Sequence, residues 1–413
     1  MMTRILSAVI GALLFSAVAA DAGQITITGG APPTTANPLF INVADYADIT
    51  GNTDSASTLN ALFDTICTAG NVASVLAPSG TIVKVNSTVV IKNCNNRLIV
   101  DFNWGTLIWG GAAHGGPVLQ IDGVQTLDLK NIDISMNGAD VGLDIDEING
   151  GITSDDTYTN IKIFGGNLAA NSAFIGIRMG VNAPGNLDRQ KFEHMFIYCG
   201  DAPGGGLTAT SNGSGVALVD HSLAEPFWTY FHDTQANNCS NAYYIGVGTN
   251  ATEWDIDGGY GGGNFHELNA AGGQVIRYRN IHSEDASEVP IVASAFSLLD
   301  ISGNDFDGLS SGQYIQATGG GTLSVTNNLF KGGTAKPVTS TNGSGLTVLK
   351  SNRVQAGTSC FDLSGIGGRT VAEGNMPQSG LPCAPFNNTY PTSCTSQPTG
   401  SIWVDTGVLK QCP

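Results

Sequence analysis

An asparagine that returns every two dozen residues limits this chain's fold more than any other feature. Toward the C-terminal end, alternating apolar segments close on Asn280, Asn304, Asn328, Asn352 and Asn375, at intervals of 24, 24, 24 and 23 residues. The segments read VIRYRNIHSED, LLDISGNDFDG, LSVTNNLFKGG, LTVLKSNRVQAG and TVAEGNM. Such a period is too short for a propeller blade and lacks the Leu pattern of a leucine-rich repeat. It fits one coil of a parallel β-helix, in which a single coil cannot bury its apolar face and stacking closes the core. Asn suits the corner of a coil: it tolerates the left-handed backbone region, and its amide can bond the equivalent group above and below.

Composition agrees with many short strands and tight turns. Only 12% of residues are charged and 55 are glycine, yet 41% are hydrophobic, too many for a disordered chain. Earlier coils are visible in LIVDFNW, LDLKNIDISMNG, TNIKIFGGN, FEHMFIYCG, WTYFHDTQANN and EWDIDGGY. The glycine-rich stretches 202–215 and 260–273 read as loops leaving the coils, on the side where solenoids usually bind.

The first residues read as a secretory leader. Arg4 precedes an apolar run from Ile5 to Val18, and small residues stand at Ala17, Ala19, Ala20 and Ala22. Eight cysteines fit an exported chain, and their proximity suggests Cys67–Cys94, Cys199–Cys239, Cys360–Cys383 and Cys394–Cys412. The net charge of −17 makes nucleic acid and anionic membrane poor partners, while leaving room for a local basic groove that binds an anionic polysaccharide.

Near the N-terminus, Thr53 or Asp54 can cap a helix whose apolar positions Ala56, Leu59, Leu62, Phe63 and Ile66 share one face, with Gly70 as its stop. The stretch from Val43 to Val85 resembles the opening motif of the pectate-lyase superfamily, found in secreted bacterial proteins and phage tailspikes. Gly51, Asp54, the helix from Ser55, and then Leu76, Ala77, Pro78, Gly80 and Thr81 carry the likeness. Ser55 stands where a second Asp is common, and Asn71-Val72-Ala73 replaces a glycine run. With the coil repeats, the resemblance covers about residues 40 to 380.

It implies an all-β, right-handed parallel β-helix whose open end is plugged by the N-terminal capping helix. The expected divisions are a leader over 1–22, an N-terminal segment over 23–80, coils over 81–380 and a disulfide-held cap over 381–413. That cap includes a hairpin in SIWVDTGVLKQC with a buried Trp403. The fold serves lyases, hydrolases, epimerases and non-catalytic adhesins, as monomers or as homotrimers, so activity must be argued from a site.

Three neighbouring segments gather the polar side chains a reaction needs: 228–235, 253–259 and 276–285. Alternation points Asp255 and Asp257 outward on one coil and Arg277 and Arg279 outward on the next, with His232 on the coil before. Two mechanisms suit such a patch. In β-elimination of a uronic-acid polymer, Arg277 or Arg279 neutralises the carboxylate while His232 moves a proton. In hydrolysis, Asp255 and Asp257 are the carboxylate pair, with Glu284 in reserve. The bland alternative is a solvated ionic ladder on the coil surface.

Other groups carry less weight. No cofactor is required, although the acidic run 140–150 with Asp155 and Asp156 offers oxygen ligands for calcium, an aid to uronate binding in pectate lyases. Arg189 and Lys191 form a basic pair, and Trp228, Tyr243, Tyr244 and Trp254 are candidate sugar-stacking rings, though strand aromatics are more often core. The polygalacturonase-type set, an Asp-Asp pair with Gly-His-Gly and Arg-x-Lys, is missing. The expected function is therefore an exported protein acting on an extended polysaccharide, by elimination ahead of hydrolysis, with a non-catalytic glycan-binding adhesin or structural rod as the rival.

Overall fold

The computed structural model describes residues 40–70, 72–147, 152–165, 174–180, 185–199, 213–218, 224–246, 253–286, 288–307, 313–331, 337–340, 345–355, 361–362, 369–377, 402–405 and 408–411. Among these, the coils stack into one sheet of 22 strands and a second of 11. The strands of consecutive coils pair in parallel, as Val275–Arg279 does with Leu298–Ser302 and Leu298–Ser302 with Thr322–Thr326. The molecule is a parallel β-solenoid.

From Leu127–Ser135 onward, each coil bends within the large sheet at a left-handed residue, and the chain between coils returns through the small sheet. Along the strands the burial alternates, so that one set of side chains fills the interior and the other faces out. The bend superposes from coil to coil: Asn131, Asn160, His194, Asp233, Asn280, Asn327 and Ser351 all have φ between 49° and 57°, and Gly258, Gly303 and Gly374 take the same place.

Four of the five periodic asparagines form an amide ladder one position beyond this bend, buried at Asn304, Asn328 and Asn352. The backbone N–H of Asn304 donates to Asn328 Oδ1 (2.9 Å), that of Asn328 to Asn352 Oδ1 (3.1 Å) and that of Asn352 to Asn375 Oδ1 (3.0 Å). The Nδ2 groups of Asn304, Asn328, Asn352 and Asn375 donate to the carbonyls of Tyr278, Ile301, Val325 and Leu349. Asn280 does not belong to this ladder. It is exposed at the left-handed bend, and Ile281 holds the ladder place in its coil, donating its N–H to Asn304 Oδ1 (2.9 Å). Bend and ladder are adjacent positions that both favour Asn, and this is why a count of spacings joins them.

The stretch 260–273 is not a loop. Its first residues complete the strand Glu253–Gly262, and His266–Ala270 is the small-sheet strand of the same coil. Glycines 261 to 263 make that corner, and a Cβ on Gly261 would stand 1.8 Å from the buried Glu267 carboxylate. Likewise Ser214–Leu218, at the end of the stretch 202–215, is a strand.

Inside, aromatic side chains from successive coils lie over one another. Tyr158 and Phe192 stack at 4.7 Å between centroids, Phe192 and Phe231 at 4.7 Å, and Trp254 continues the pile at 5.2 Å from Phe231. The helix runs over Ala56–Ala69 and stops at Gly70 (φ 70°), with Ala56, Leu59, Leu62, Phe63 and Ile66 buried. Asp54 Oδ1 accepts from the Ala56 N–H at its start. The disulfides Cys67–Cys94 and Cys199–Cys239 are formed, the first tying helix to coil. The leader and the pairs Cys360–Cys383 and Cys394–Cys412 lie outside the described residues. Of the C-terminal segment, the antiparallel hairpin Ile402–Asp405 with Val408–Gln411 is described, and the Trp403 side chain is not.

Candidate functional site

The outward residues between two bends of the large sheet form a flat strip. Register fixes its columns: Lys191, Tyr230, Asp255, Arg277 and Asp300 follow one another in one, and Glu193, His232, Asp257, Arg279 and Ser302 in the next. Neighbours in a column are about 4.8 Å apart, the strand spacing. Asp255, Asp257, Arg277, Arg279 and His232 thus occupy one patch.

Within it the charges are engaged. Arg279 Nη2 lies 2.5 Å from Asp255 Oδ1 and 3.9 Å from Asp257 Oδ2, and Arg277 bonds Glu253. Burial pulls the Arg279 pKa down, but the bond to Asp255 and the charges of Asp257 and Asp300 outweigh it and leave it raised. Asn280 donates to Asp257 (2.7 Å). His232 lies parallel to the Tyr230 ring (5.9 Å between centroids, 7°), and its Nδ1 has no hydrogen-bond partner among the described residues. Burial, and then the charges of Asp257 and Asp255, push the Tyr230 phenol up, so it holds its proton at neutral pH.

Glu284 is elsewhere. The left-handed bend at Asn280 turns the chain, so Glu284 stands on the second wing of the sheet with Tyr260, whose hydroxyl donates to it (2.9 Å), and His282. The segment 276–285 thus spans both sides of the Asn280 corner, and Glu284 lies beyond it.

A groove of about 290 Å³ opens beside the strip, lined by Arg189, Gln190, Lys191, Trp228, Tyr230 and Asp255. Its edge is a second left-handed corner in which Asp155 (φ 59°), Arg189 (φ 50°) and Trp228 (φ 58°) superpose. Arg189 grips Asp155 through two bonds, which hold that carboxyl below its usual range. Trp228 is 55% exposed. A bulky residue in this backbone region costs roughly 1–2 kcal/mol, and leaving its indole in water forfeits burial as well. Folding requires neither.

The other aromatic candidates divide. Trp254 and Tyr243 are interior residues, and Tyr244 is half-buried on the small sheet. Tyr230 escaped attention in the sequence, although counting back from Asp255 by one coil would have found it.

The acidic run disperses over the structure. Asp144 is buried against Arg178 (2.7 and 2.9 Å), Asp140 meets His114 (3.0 Å), and Asp156 lies in the interior. Among the described residues, no three His, Cys, Asp or Glu side chains converge as metal ligands.

No family model matches the chain, and no curated protein does. Solved structures do. ORF18 of Geobacillus virus E2 is 12% identical with a TM-score of 0.47 over 84% of this chain; the chain spans 62% of that protein's length. The mannuronan C-5 epimerase A-module of Azotobacter vinelandii is 10% identical (TM-score 0.42, 82% of this chain, 99% of that one). The endo-xylogalacturonan hydrolase of Aspergillus tubingensis is 12% identical (TM-score 0.41, 81% and 93%). All three TM-scores lie below 0.5, and the coil stacking rests on the strand pairing itself.

Proposed function

We propose that this is an exported protein that holds an extended polysaccharide across the strip, with the Trp228 groove as its principal sugar-binding site. The observation that carries this reading is the exposed, strained Trp228 beside Tyr230 and the charged side chains of the groove. Pyranose rings present a C–H face that suits an indole, while their hydroxyls and carboxylates suit Arg189, Lys191 and Asp255. The leader over 1–22 supplies export, the two disulfides fit an oxidising compartment, and the helix Ala56–Ala69 covers the first coil.

Elimination remains the favoured chemistry. Because its Nδ1 is enclosed, half-buried His232 accepts the proton from C5 of a uronate at Nε2. The electron pair left by that C–H bond forms the C4–C5 double bond as the C4–O bond breaks, and the Tyr230 phenol protonates the departing oxygen. Arg277 and Arg279 offset the charge on the uronate, so the reading needs no resident metal. Hydrolysis fits less well, because Asp255 and Asp257 lie within 4 Å of the same Arg279 nitrogen, an arrangement for two like carboxylates rather than for an acid and a base. The ion pairs of Arg277 and Arg279 also favour a second reading, binding without turnover.

A panel of uronate and neutral polysaccharides separates these. Ultraviolet absorbance from an unsaturated uronate, unaffected by EDTA, is the expected result; reducing ends without it indicate hydrolysis, and tight binding with neither product indicates an adhesin. Trp228→Ala should weaken binding by roughly 10-fold or more, the loss of a stacking contact of about 1.5 kcal/mol. Unchanged binding by Trp228→Ala, or no binding by the wild type to any glycan, removes the proposal.

A further inference from the structure

The coil of Leu98–Trp109 does not turn at a single residue where the next coil bends at Asn131. Between Leu98–Trp109 and the next strand, register passes from Asp101 opposite Lys130 to Gly105 opposite Ile132. Phe102, Asn103 and Trp104 therefore face the single bend residue Asn131. Phe102 turns into the core, while Asn103 (φ 47°) and Trp104 (φ 62°) both take the left-handed conformation, and Trp104 is left 49% exposed. Gly105 makes room for the bulge, since a Cβ there would meet the Phe102 carbonyl oxygen at 2.9 Å.

The indole reaches across two coils. Lys162 Nζ stands 4.9 Å from its ring centre, in the outward column that runs Thr106, Asp133, Lys162. Asp133 Oδ1 is enclosed without a hydrogen-bond partner among the described residues, and burial raises that carboxyl despite the nearby Lys162. A cation over an exposed ring contributes about 0.5–1 kcal/mol, less than the roughly 1–2 kcal/mol that the left-handed backbone of Trp104 costs. Coil stability does not account for the bulge.

We infer that Trp104, with Lys162 and Asp133, is a second glycan-binding platform that takes a sugar ring of the same polymer held at Trp228. The inference rests on the polysaccharide reading above and adds a length requirement to it. Four coil steps separate the two indoles, about 19 Å along the axis, and they flank opposite edges of the strip, about five residues or 17 Å across. A disaccharide cannot touch both. A polymer crossing the strip obliquely can, passing Thr157 and Thr159 on the way, and the second contact then acts at high local concentration.

Calorimetric titration with size-graded oligosaccharides of whichever glycan the wild type binds tests this. Trp104→Ala should bind short oligosaccharides as the wild type does and lose roughly 10-fold or more on long chains. Lys162→Ala should lose a smaller part on long chains alone, and Trp228→Ala should lose affinity at every length. If Trp104→Ala and Lys162→Ala match the wild type at all lengths while Trp228→Ala is impaired, the second platform is refuted and the main site stands. Equal loss by Trp104→Ala on short and long chains also refutes it. If Trp228→Ala is unimpaired as well, both readings fall.

Discussion

Asn328 has a ladder partner on each side, and a variant there isolates what the amide contributes. Its Oδ1 accepts the Asn304 N–H, its Nδ2 donates to the Ile301 carbonyl, and both partners are buried. Asn328→Ala leaves that donor and that acceptor without partners, which costs about 2–6 kcal/mol in total at 1–3 kcal/mol for each buried group. Chemical denaturation measures it, and a loss under about 1 kcal/mol contradicts the ladder's role. The residue scale was only partly legible in the sequence. The spacing of Asn304, Asn328, Asn352 and Asn375 is the ladder itself, whereas Asn280 fits the same count yet serves the bend, one position earlier. Spacing alone does not distinguish two adjacent positions that prefer one residue type for different reasons.

Strands follow period two, so the columns through Asp255 with Arg277 and Asp257 with Arg279 could be placed from alternation alone. What alternation does not carry is a left-handed residue, which redirects the strand without interrupting its pattern. That is why Glu284 was grouped with residues it does not face, and why Trp228 read as a strand aromatic with a core bias. Inward, the same register produces the Tyr158, Phe192, Phe231 and Trp254 pile, in which each ring supports the next coil's. Phe192→Ala removes a fully buried ring from the middle and should destabilise by about 3–5 kcal/mol, the range for such truncations. Paired with Phe231→Ala, the two losses should fall short of additivity, because each deletes the same stacked contact. Strict additivity in denaturation experiments would show that the rings do not act as a unit.

At the scale of the whole molecule, the closed interior is legible from a chain that is 41% hydrophobic and 12% charged, but two of the carboxyls buried in it, those of Asp156 and Glu267, are not. Asp156 and Glu267 look like surface residues in composition, and only the folded coils place them inside. Burial pushes each carboxyl up to about 8, hydrogen bonds from Leu127 and Asn264 notwithstanding. An unfolded carboxyl titrates near ~4, so between about 4 and 8 the folded chain holds protons that the unfolded chain has released. Stability is therefore complete with respect to these groups below about pH 4, falls as pH rises through that window, and is lost from them above about 8. The slope approaches about 1.4 kcal/mol per pH unit for each group. Asp156→Asn and Glu267→Gln keep neutral, hydrogen-bonding side chains and remove the proton. Denaturation curves at about pH 5 and pH 8 should show the wild type losing markedly more stability than the double variant. Equal losses would mean that both carboxyls are ionised in the folded interior, and that hydration or a partner cation outweighs the cost of burying them.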